Sequence, residues 1–201
     1  MQKKIRMILQ KYINEFGYNF KLAYPIILAM LGHTLVGIID NIMVGKIGAT
    51  ELAAASLANS FVFIALSVGV GFSTAITPLV AAADAERDQI KERSIFINGV
   101  YLCAILGVLL FTGLYFLKPL IDLMKQPTDV SNMAKPFLDV VALSLIPLVI
   151  YQGFKQFSDG KSQTKYSMYA TIIANVVNVL FNYLLIYGVW IFPEMGMMGA
   201  A

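Results

Sequence analysis

Five long apolar segments constrain the fold of this chain more than any other feature of its sequence. Each is long enough to cross a bilayer of about 30 Å as a helix that rises about 1.5 Å per residue. Charged residues make up only 13% of the 201 residues and cluster between these segments, whereas soluble domains carry about 25%. The sequence therefore predicts an all-α integral membrane protein whose helices lie at about residues 22–44, 52–83, 95–117, 133–154 and 166–191.

The distribution of lysine and arginine indicates how these helices are oriented. With residues 1–21 in the cytoplasm, the segments on that side carry eleven basic residues and those on the other side carry four. Cytoplasmic loops of membrane proteins carry the excess of basic residues. We therefore expect a multi-pass protein of the inner (plasma) membrane with a cytoplasmic N-terminal segment at residues 1–21. The basic residues are Lys3, Lys4, Arg6, Lys11, Lys21, Arg87, Lys91, Arg93, Lys155, Lys161 and Lys165 on the cytoplasmic side, and Lys46, Lys118, Lys125 and Lys135 on the other.

Two classes of function fit the sequence poorly. The isoelectric point near 8.9 would suit a nucleic-acid-binding protein, but the basic residues form no continuous patch and no nucleic-acid motif is present. An enzyme would need a nucleophile with a base, or a metal cluster, and the only histidine and only cysteine, His33 and Cys103, lie in different apolar segments. We expect the lipid bilayer as a partner, no nucleic acid, no catalytic activity and no cofactor.

Asp40 is the residue that a membrane helix accommodates least easily. It lies roughly 27 Å along a helix that begins at residue 22. A charged carboxylate in a bilayer costs several kcal/mol unless it is paired, protonated or bound to an ion. The only lysine within a predicted helix, Lys135, lies near the outer surface, where Asp139 four residues later can pair with it. A cation or a proton is therefore the natural partner of Asp40, and the alternative is an acid tolerated in water near the outer interface.

Four polar residues of the last apolar segment lie on one helical face, because they are spaced by four, three and four: Thr171, Asn175, Asn178 and Asn182. Asn178 and Asn182 reach a depth similar to that of Asp40. A carboxylate and two amide oxygens are hard ligands of the kind that a small cation or hydronium prefers. We therefore predict a site for Na⁺ or H⁺ at Asp40, Asn178 and Asn182, which would be metal ligands if the ion is Na⁺. The alternative for the amides is hydrogen bonding between helices.

Three further polar residues are candidates for lining a substrate cavity. His33 lies seven residues before Asp40 and near the same helix face, so it could relay protons or line a cavity, although a histidine is also a common packing residue. Gln152, at the cytoplasmic end of its segment, faces either a pathway or the membrane interface. Asn175 belongs to the polar face described above.

Several motifs occur in an order that resembles the multidrug and toxic compound extrusion (MATE) transporters. The core of the resemblance is LVGIIDNIMVGKIGA at residues 35–49, followed by ELAA at 51–54 and PLVAAA at 78–83. FSDG at residues 157–160 and LIYG at residues 185–188, which follows Asn178 and Asn182, fit the same pattern. The match covers nearly the whole chain after residue 20.

The resemblance implies twelve helices in two six-helix lobes that rock between inward- and outward-open states. Residues 22–201 would supply the first five helices and the start of the sixth, so that the C-terminal lobe would be a missing partner and this chain alone would be poorly stable. The resemblance also implies a cation site at Asp40, Asn178 and Asn182. Two positions depart from the family pattern, since Asn182 stands where some members have an acid and His33 stands where glutamine is frequent.

The function that this resemblance implies is secondary active antiport, in which small organic cations or drugs leave the cell in exchange for Na⁺ or H⁺. The alternative is a flippase for a lipid-linked precursor, which belongs to the wider set of proteins of this architecture. A flippase should place lysines or arginines inside its cavity to bind a pyrophosphate. Only Lys135 lies within a predicted helix, and it lies at the rim, so the sequence favours the antiporter.

Overall fold

The computed structural model describes residues 2–201 of the chain, with the backbone alone for residues 2–15, 18 and 22. Within these residues every regular element is helical. The elements are α1 (Gln2–Gly45), α2 (Ala49–Ser73), α3 (Ile76–Glu86), α4 (Gln89–Leu117), α5 (Leu120–Leu123), α6 (Thr128–Leu143), α7 (Leu145–Gly160), α8 (Thr164–Tyr187) and a 3₁₀ helix at Gly196–Ala200.

Five helical spans in the described part of the chain are long and apolar enough to cross a membrane: Asn19–Gly45, Ala49–Glu86, Gln89–Leu117, Thr128–Gly160 and Thr164–Tyr187. The prediction of an all-α chain with five membrane-length helices is therefore confirmed. α1 runs without a break from Gln2 to Gly45. From Gln2 onward, the N-terminal segment and the first membrane span are therefore parts of one helix.

The last span ends earlier than the predicted helix at residues 166–191. Gly188 has φ 61° and ψ 46°, which is the left-handed conformation that commonly follows a helix C-terminus. The next residue, Val189, donates its N–H to the Leu184 carbonyl at 3.1 Å and so closes the final turn. Glycine adopts this conformation at little cost, and α8 therefore ends at Tyr187.

Two of the spans are divided by a break near a proline. α2 gives way to α3 four residues before Pro78, and α6 gives way to α7 at Ser144, three residues before Pro147. A proline has no N–H for the carbonyl four residues earlier and its ring clashes with that carbonyl. At the second break, the Ser144 hydroxyl and its own N–H both donate to the Val141 carbonyl, at 2.7 Å and 3.1 Å. Both breaks therefore have a local chemical cause.

Glycine allows α7 to pack closely against its neighbours. A Cβ at Gly160 of α7 would lie 2.8 Å from the Thr77 carbonyl oxygen of α3, and a Cβ at Gly107 of α4 would lie 3.0 Å from Ile146 Cα of α7. These distances are shorter than a methyl group can occupy without moving the backbone. Small residues at helix contacts are the usual means of close packing in membranes. α3, α4 and α7 therefore form one tightly packed group.

α5 lies at one end of the lobe, and the ion pairs there differ from the predicted pair of Lys135 with Asp139. Asp139 pairs with Lys118, which follows α4, rather than with Lys135. Lys135 instead contacts Asp122 of α5, with its Nζ 2.7 Å from Oδ1. The four-residue spacing of Lys135 and Asp139 is suitable for a pair on one helix, but α5 and the end of α4 bring acids and bases from other elements nearer.

α1 and α8 form a parallel pair beside this group. Tyr187 donates its hydroxyl to the Met43 carbonyl at 3.3 Å. The contacts between the two helices advance in the same direction along both: Gly32 with Asn175, Asp40 with Asn182, and Met43 with Tyr187. Parallel packing in this register places the polar face of α8 against α1.

Candidate functional site

The structure brings together the three residues that the sequence predicts as a cation site. Asn182 donates from Nδ2 to Asp40 Oδ1 at 2.8 Å and to Asn178 Oδ1 at 3.2 Å. Asn182 is buried, with 6% of its surface exposed, whereas Asn178 is exposed and Asp40 is half-buried. One buried amide therefore joins a carboxylate of α1 to a second amide of α8.

The local fold explains this arrangement. Asn178 and Asn182 are four residues apart on α8, so their side chains lie one above the other on the same face. The parallel register of α1 and α8 then sets Asp40 beside Asn182. The partner residues are separated by 142 positions in the sequence, so the site exists only when the first and last spans are packed together.

The chemistry of the site suits a hard cation. Its acceptors are carboxylate and amide oxygens, which favour hard cations over the soft metals that thiolates bind. No ion pair among the described side chains involves Asp40. The described residues contain no group of three or more His, Cys, Asp and Glu that could hold a metal ion. Asp40 is thus a carboxylate without a basic partner on the described side chains, set against amide groups.

Two of the three candidate lining residues have unsatisfied polar atoms. Asn175 is one turn from Asn178, and its Nδ2 packs 2.9 Å from the point that a Cβ on Gly32 of α1 would occupy. Both Asn175 Nδ2 and Gln152 Oε1 are buried without a hydrogen-bond partner. His33 is exposed on α1 and lies seven residues before Asp40 on the same helix.

Sequence reasoning missed a set of polar contacts that continues the polar face of α8. The Tyr151 hydroxyl of α7 lies 2.9 Å from Thr171 Oγ1. One turn before Thr171, the Ser167 hydroxyl donates to Asp159 Oδ1 at 2.9 Å. The signal was present in the sequence, because Ser167 lies four residues before Thr171 and extends the same spacing. Tyr151 and Asp159 carried no such signal, since their role depends on how α7 packs against α8.

A second polar cluster lies at the end of the lobe that holds the α3–α4 and α7–α8 turns. Lys161 Nζ is 2.5 Å from Glu92 Oε1 and 3.8 Å from Asp84 Oδ1. The hydrogen bond to Glu92 raises the pKa of Lys161. Because Asp84 and Glu92 lie at the ends of α3 and α4 and Lys161 lies in the α7–α8 turn, the cluster links that turn to both helices by charge.

Comparison with known proteins gives consistent matches over almost the whole chain. The family model MatE matches residues 25–184. A probable multidrug resistance protein NorM of Rhizobium meliloti is 31% identical over 199 residues, which cover 97% of this chain and 43% of that protein. A multidrug resistance protein NorM of Photobacterium profundum is 29% identical over 191 residues, which cover 95% and 42%. The chain therefore spans about two fifths of the length of these relatives.

Solved structures share the arrangement of helices. A MOP superfamily transporter from Pyrococcus furiosus has a TM-score of 0.84 at 20% identity, over 91% of this chain and 40% of that one. A multidrug resistance MATE family transporter in an outward-facing conformation has a TM-score of 0.81, also at 20% identity, over the same shares. At this level of identity the likeness establishes the fold alone.

Proposed function

This chain belongs to the MatE family, and from that premise we propose that it forms the ion-binding part of an antiporter that exports small organic cations in exchange for Na⁺ or H⁺. The observation that carries the proposal is the contact of Asp40 with Asn182, and through Asn182 with Asn178, inside a membrane-spanning pair of helices. Relatives named multidrug resistance proteins support export of drugs as the direction and substrate class.

Asp40 is the residue that would couple the ion to transport. Binding a proton or Na⁺ neutralises its charge, and a neutral group is accommodated in a membrane far more readily than a charged one. Such an ion can shift a two-state equilibrium only by binding the two states unequally, and about 5.5 kcal/mol of difference moves it from 1:99 to 99:1. One charge that crosses 100 mV supplies about 2.3 kcal/mol, so the ion gradient can contribute part of this work.

The remaining groups of the site divide between the ion and the substrate. If the ion is Na⁺, Asp40 and Asn178 supply oxygens as they stand, whereas Asn182 supplies one only after its amide rotates away from Asp40. We propose His33, Asn175 and Gln152 as lining of the substrate cavity. An organic cation would meet two amide groups and an imidazole there. While the imidazole is neutral, none of these three side chains carries a positive charge that would repel the cation.

The chain is a multi-pass membrane protein, as its family and its five membrane-length helices show. We propose further that it lies in the inner (plasma) membrane with its N-terminus in the cytoplasm, as the distribution of basic residues indicates. In an 18-residue apolar stretch of each helix, only 12% of the first span and 11% of the last span are buried within this chain. A second lobe is therefore the proposed partner of these two helices. We propose no enzymatic activity for this chain.

Ethidium efflux from cells that lack their own drug pumps tests this function. The cells would express the complete transporter gene, either unchanged or with Asp40→Asn, under imposed Na⁺ or H⁺ gradients. Asp129→Asn is the matched control, because Asp129 is an exposed acid in the first turn of α6. Loss of efflux in Asp40→Asn alone, at equal abundance in the membrane, supports ion coupling at Asp40, and the effective gradient names the ion. Equal efflux by all three forms would show that Asp40 is structural.

A further inference from the structure

A cavity of about 300 Å³ opens between α4 and α7, at the end of the lobe that holds the α3–α4 and α7–α8 turns. We call it the α4–α7 pocket. Its lining combines charged and aromatic side chains: Gln89, Glu92, Arg93, Phe96, Phe157 and Lys161. Neither the ion site at Asp40 nor the proposed substrate lining includes any of these residues, so the pocket needs an explanation of its own.

The antiparallel packing of α4 and α7 builds the pocket. Contacts along the pair join Gly107 to Ile146, Phe96 to Phe157 and Glu92 to Lys161. Residue numbers fall along α4 while they rise along α7, so the N-terminal end of α4 lies beside the C-terminal end of α7. Gln89, Arg93 and Phe96 are spaced by four and three residues and therefore share the face of α4 that borders this contact.

The deeper part of the pocket is aromatic. The ring centroid of Phe96 lies 4.6 Å from that of Phe157 and 5.4 Å from that of Phe154. Phe154 is also 48% exposed, so the aromatic surface continues from the pocket to the outside of this chain. An acyl chain that leaves the pocket would therefore meet apolar surface along its course.

Arg93 is the cation of this pocket whose charge no described acid offsets. Its side chain is exposed, and it takes part in none of the ion pairs among the described side chains. Lys161 Nζ, in contrast, lies 2.5 Å from Glu92 Oε1 and 3.8 Å from Asp84 Oδ1. A guanidinium can bind two oxygens of a phosphate at once. The pocket therefore suits a phosphate that carries an apolar tail.

The length of α4 places the two parts of the pocket at different depths of the bilayer. Its 29 residues span about 43 Å, which matches a bilayer of about 40–45 Å that includes the headgroups. Because the hydrocarbon core is about 30 Å thick, about four residues at each end lie among the headgroups. Arg93 follows Gln89 by four residues and Phe96 follows it by seven. Arg93 therefore lies at the level of the lipid phosphates, and Phe96 lies among the acyl chains.

We propose that the α4–α7 pocket binds one anionic phospholipid of the cytoplasmic leaflet, with its phosphate on Arg93 and an acyl chain against Phe96 and Phe157. The leaflet follows from the proposed orientation, which puts the N-terminal end of α4 on the cytoplasmic side. Anionic lipids give that leaflet its negative surface potential, and basic pockets between membrane helices on that side bind lipid headgroups. A free phosphate would satisfy Arg93 but would leave the phenylalanines uncovered.

Quenching of tryptophan fluorescence by lipids with brominated acyl chains tests the pocket. The complete transporter carries Phe154→Trp as a probe beside the pocket, or Phe116→Trp as a control probe, because Phe116 is exposed near the opposite end of α4. Each form is placed in vesicles of phosphatidylcholine and phosphatidylglycerol, with bromine on one lipid or on the other. The signal of the protein without the added tryptophan is subtracted. The quenching then gives the affinity for phosphatidylglycerol relative to phosphatidylcholine at each probe.

Arg93→Gln and Lys165→Gln each remove one positive charge from the Phe154→Trp form. Lys165 is the matched control, because it is an exposed base in the first turn of α8 and does not line the pocket. We expect Phe154→Trp to report an affinity for phosphatidylglycerol about fivefold higher, which corresponds to about 1 kcal/mol for one arginine near anionic lipid. Arg93→Gln should remove this preference and Lys165→Gln should keep it. Phe116→Trp should report none, since the nearby Lys118 is paired with Asp139.

Several results would overturn the proposal. One is the same affinity for both lipids at Phe154→Trp, and another is a preference that Arg93→Gln leaves intact. Absence of quenching by either lipid would show that protein, such as the second lobe, covers the pocket. Loss of the preference on addition of inorganic phosphate would show a site for free phosphate. The assay measures no transport, so its failure and a failure of ethidium efflux are independent results.

Discussion

Replacing Gly107 by alanine tests whether the close contact of α4 with α7 limits the stability of the lobe. A Cβ at this position would lie 3.0 Å from Ile146 Cα and 3.2 Å from the Ile146 carbonyl oxygen. Both atoms belong to the backbone of α7, so no side-chain rotation relieves the clash. The new methyl group therefore requires a shift of the α7 backbone by a few tenths of an ångström.

Gly113 provides the control within the same helix. It is exposed, and a Cβ there would have no neighbour within 4 Å. Alanine is favoured over glycine in a helix by about 1 kcal/mol, and both variants receive this benefit. Overpacking a close contact costs about 1–3 kcal/mol. The difference between the two variants isolates the clash, and we expect Gly107→Ala to be less stable than Gly113→Ala by about 1–3 kcal/mol.

Thermal unfolding of the complete transporter in detergent, followed by size-exclusion chromatography after heating, measures this difference. Unfolding of such a protein is often irreversible, so both variants must be heated for the same time at the same temperatures. Gly113→Ala should retain or raise the midpoint, and Gly107→Ala should lower it. If Gly107→Ala raises the midpoint as much as Gly113→Ala, the helices do not approach each other as closely as the structure indicates.

Three further predictions concern the site and the charged turns. Asn182→Leu should abolish ion-driven efflux in the ethidium assay, because it removes both hydrogen bonds that join the site. The control Asn98→Leu removes an exposed amide of α4 and should retain efflux. If Asn182→Leu exports ethidium as well as the unchanged protein does, the Asn182 amide has no role in transport. Cys103 is fully buried, so a maleimide should label it only after denaturation, as peptide mapping would show, and rapid labelling of the folded protein would contradict its packing. The hydrogen bond to Glu92 raises the pKa of Lys161 in the folded state. The stabilisation from this bond is therefore present below the unfolded lysine pKa of about 10.4 and is lost as pH rises through the folded pKa. Glu92→Gln should lower the thermal midpoint at pH 8 and have the same midpoint as the unchanged protein in strong alkali, and an equal deficit at every pH would refute this.

The sequence predicts the membrane spans well because the bilayer imposes a strict length and composition on them. It also predicts the meeting of Asp40 with Asn178 and Asn182, since depth along a straight helix can be counted in residues. That argument needs only the direction of each helix and its starting depth. Both follow from the apolar segments and the basic residues between them.

Other features depend on packing that no count of residues supplies. The donation from Asn182 to Asp40 is set by how α1 and α8 face each other, and the contact of Asp159 with Ser167 is set by the register of α7 and α8. The partner of Lys135 was predicted incorrectly for the same reason, because Asp122 approaches it from another element. The end of α8 at Gly188 was predictable from the preference of glycine for the left-handed conformation.

The distance in sequence between Asp40 and Asn182 also determines the order in which the site is made. Translation at about 5–20 residues per second separates the synthesis of these residues by about 7–28 s, so the carboxylate of α1 leaves the ribosome before its amide partner exists. Crosslinking of α1 to α8 in chains arrested on the ribosome at increasing lengths would reveal when the two helices meet. Until then the nascent α1 carries an acid whose amide partner on α8 is still to be made, and the biogenesis machinery must shelter or neutralise it.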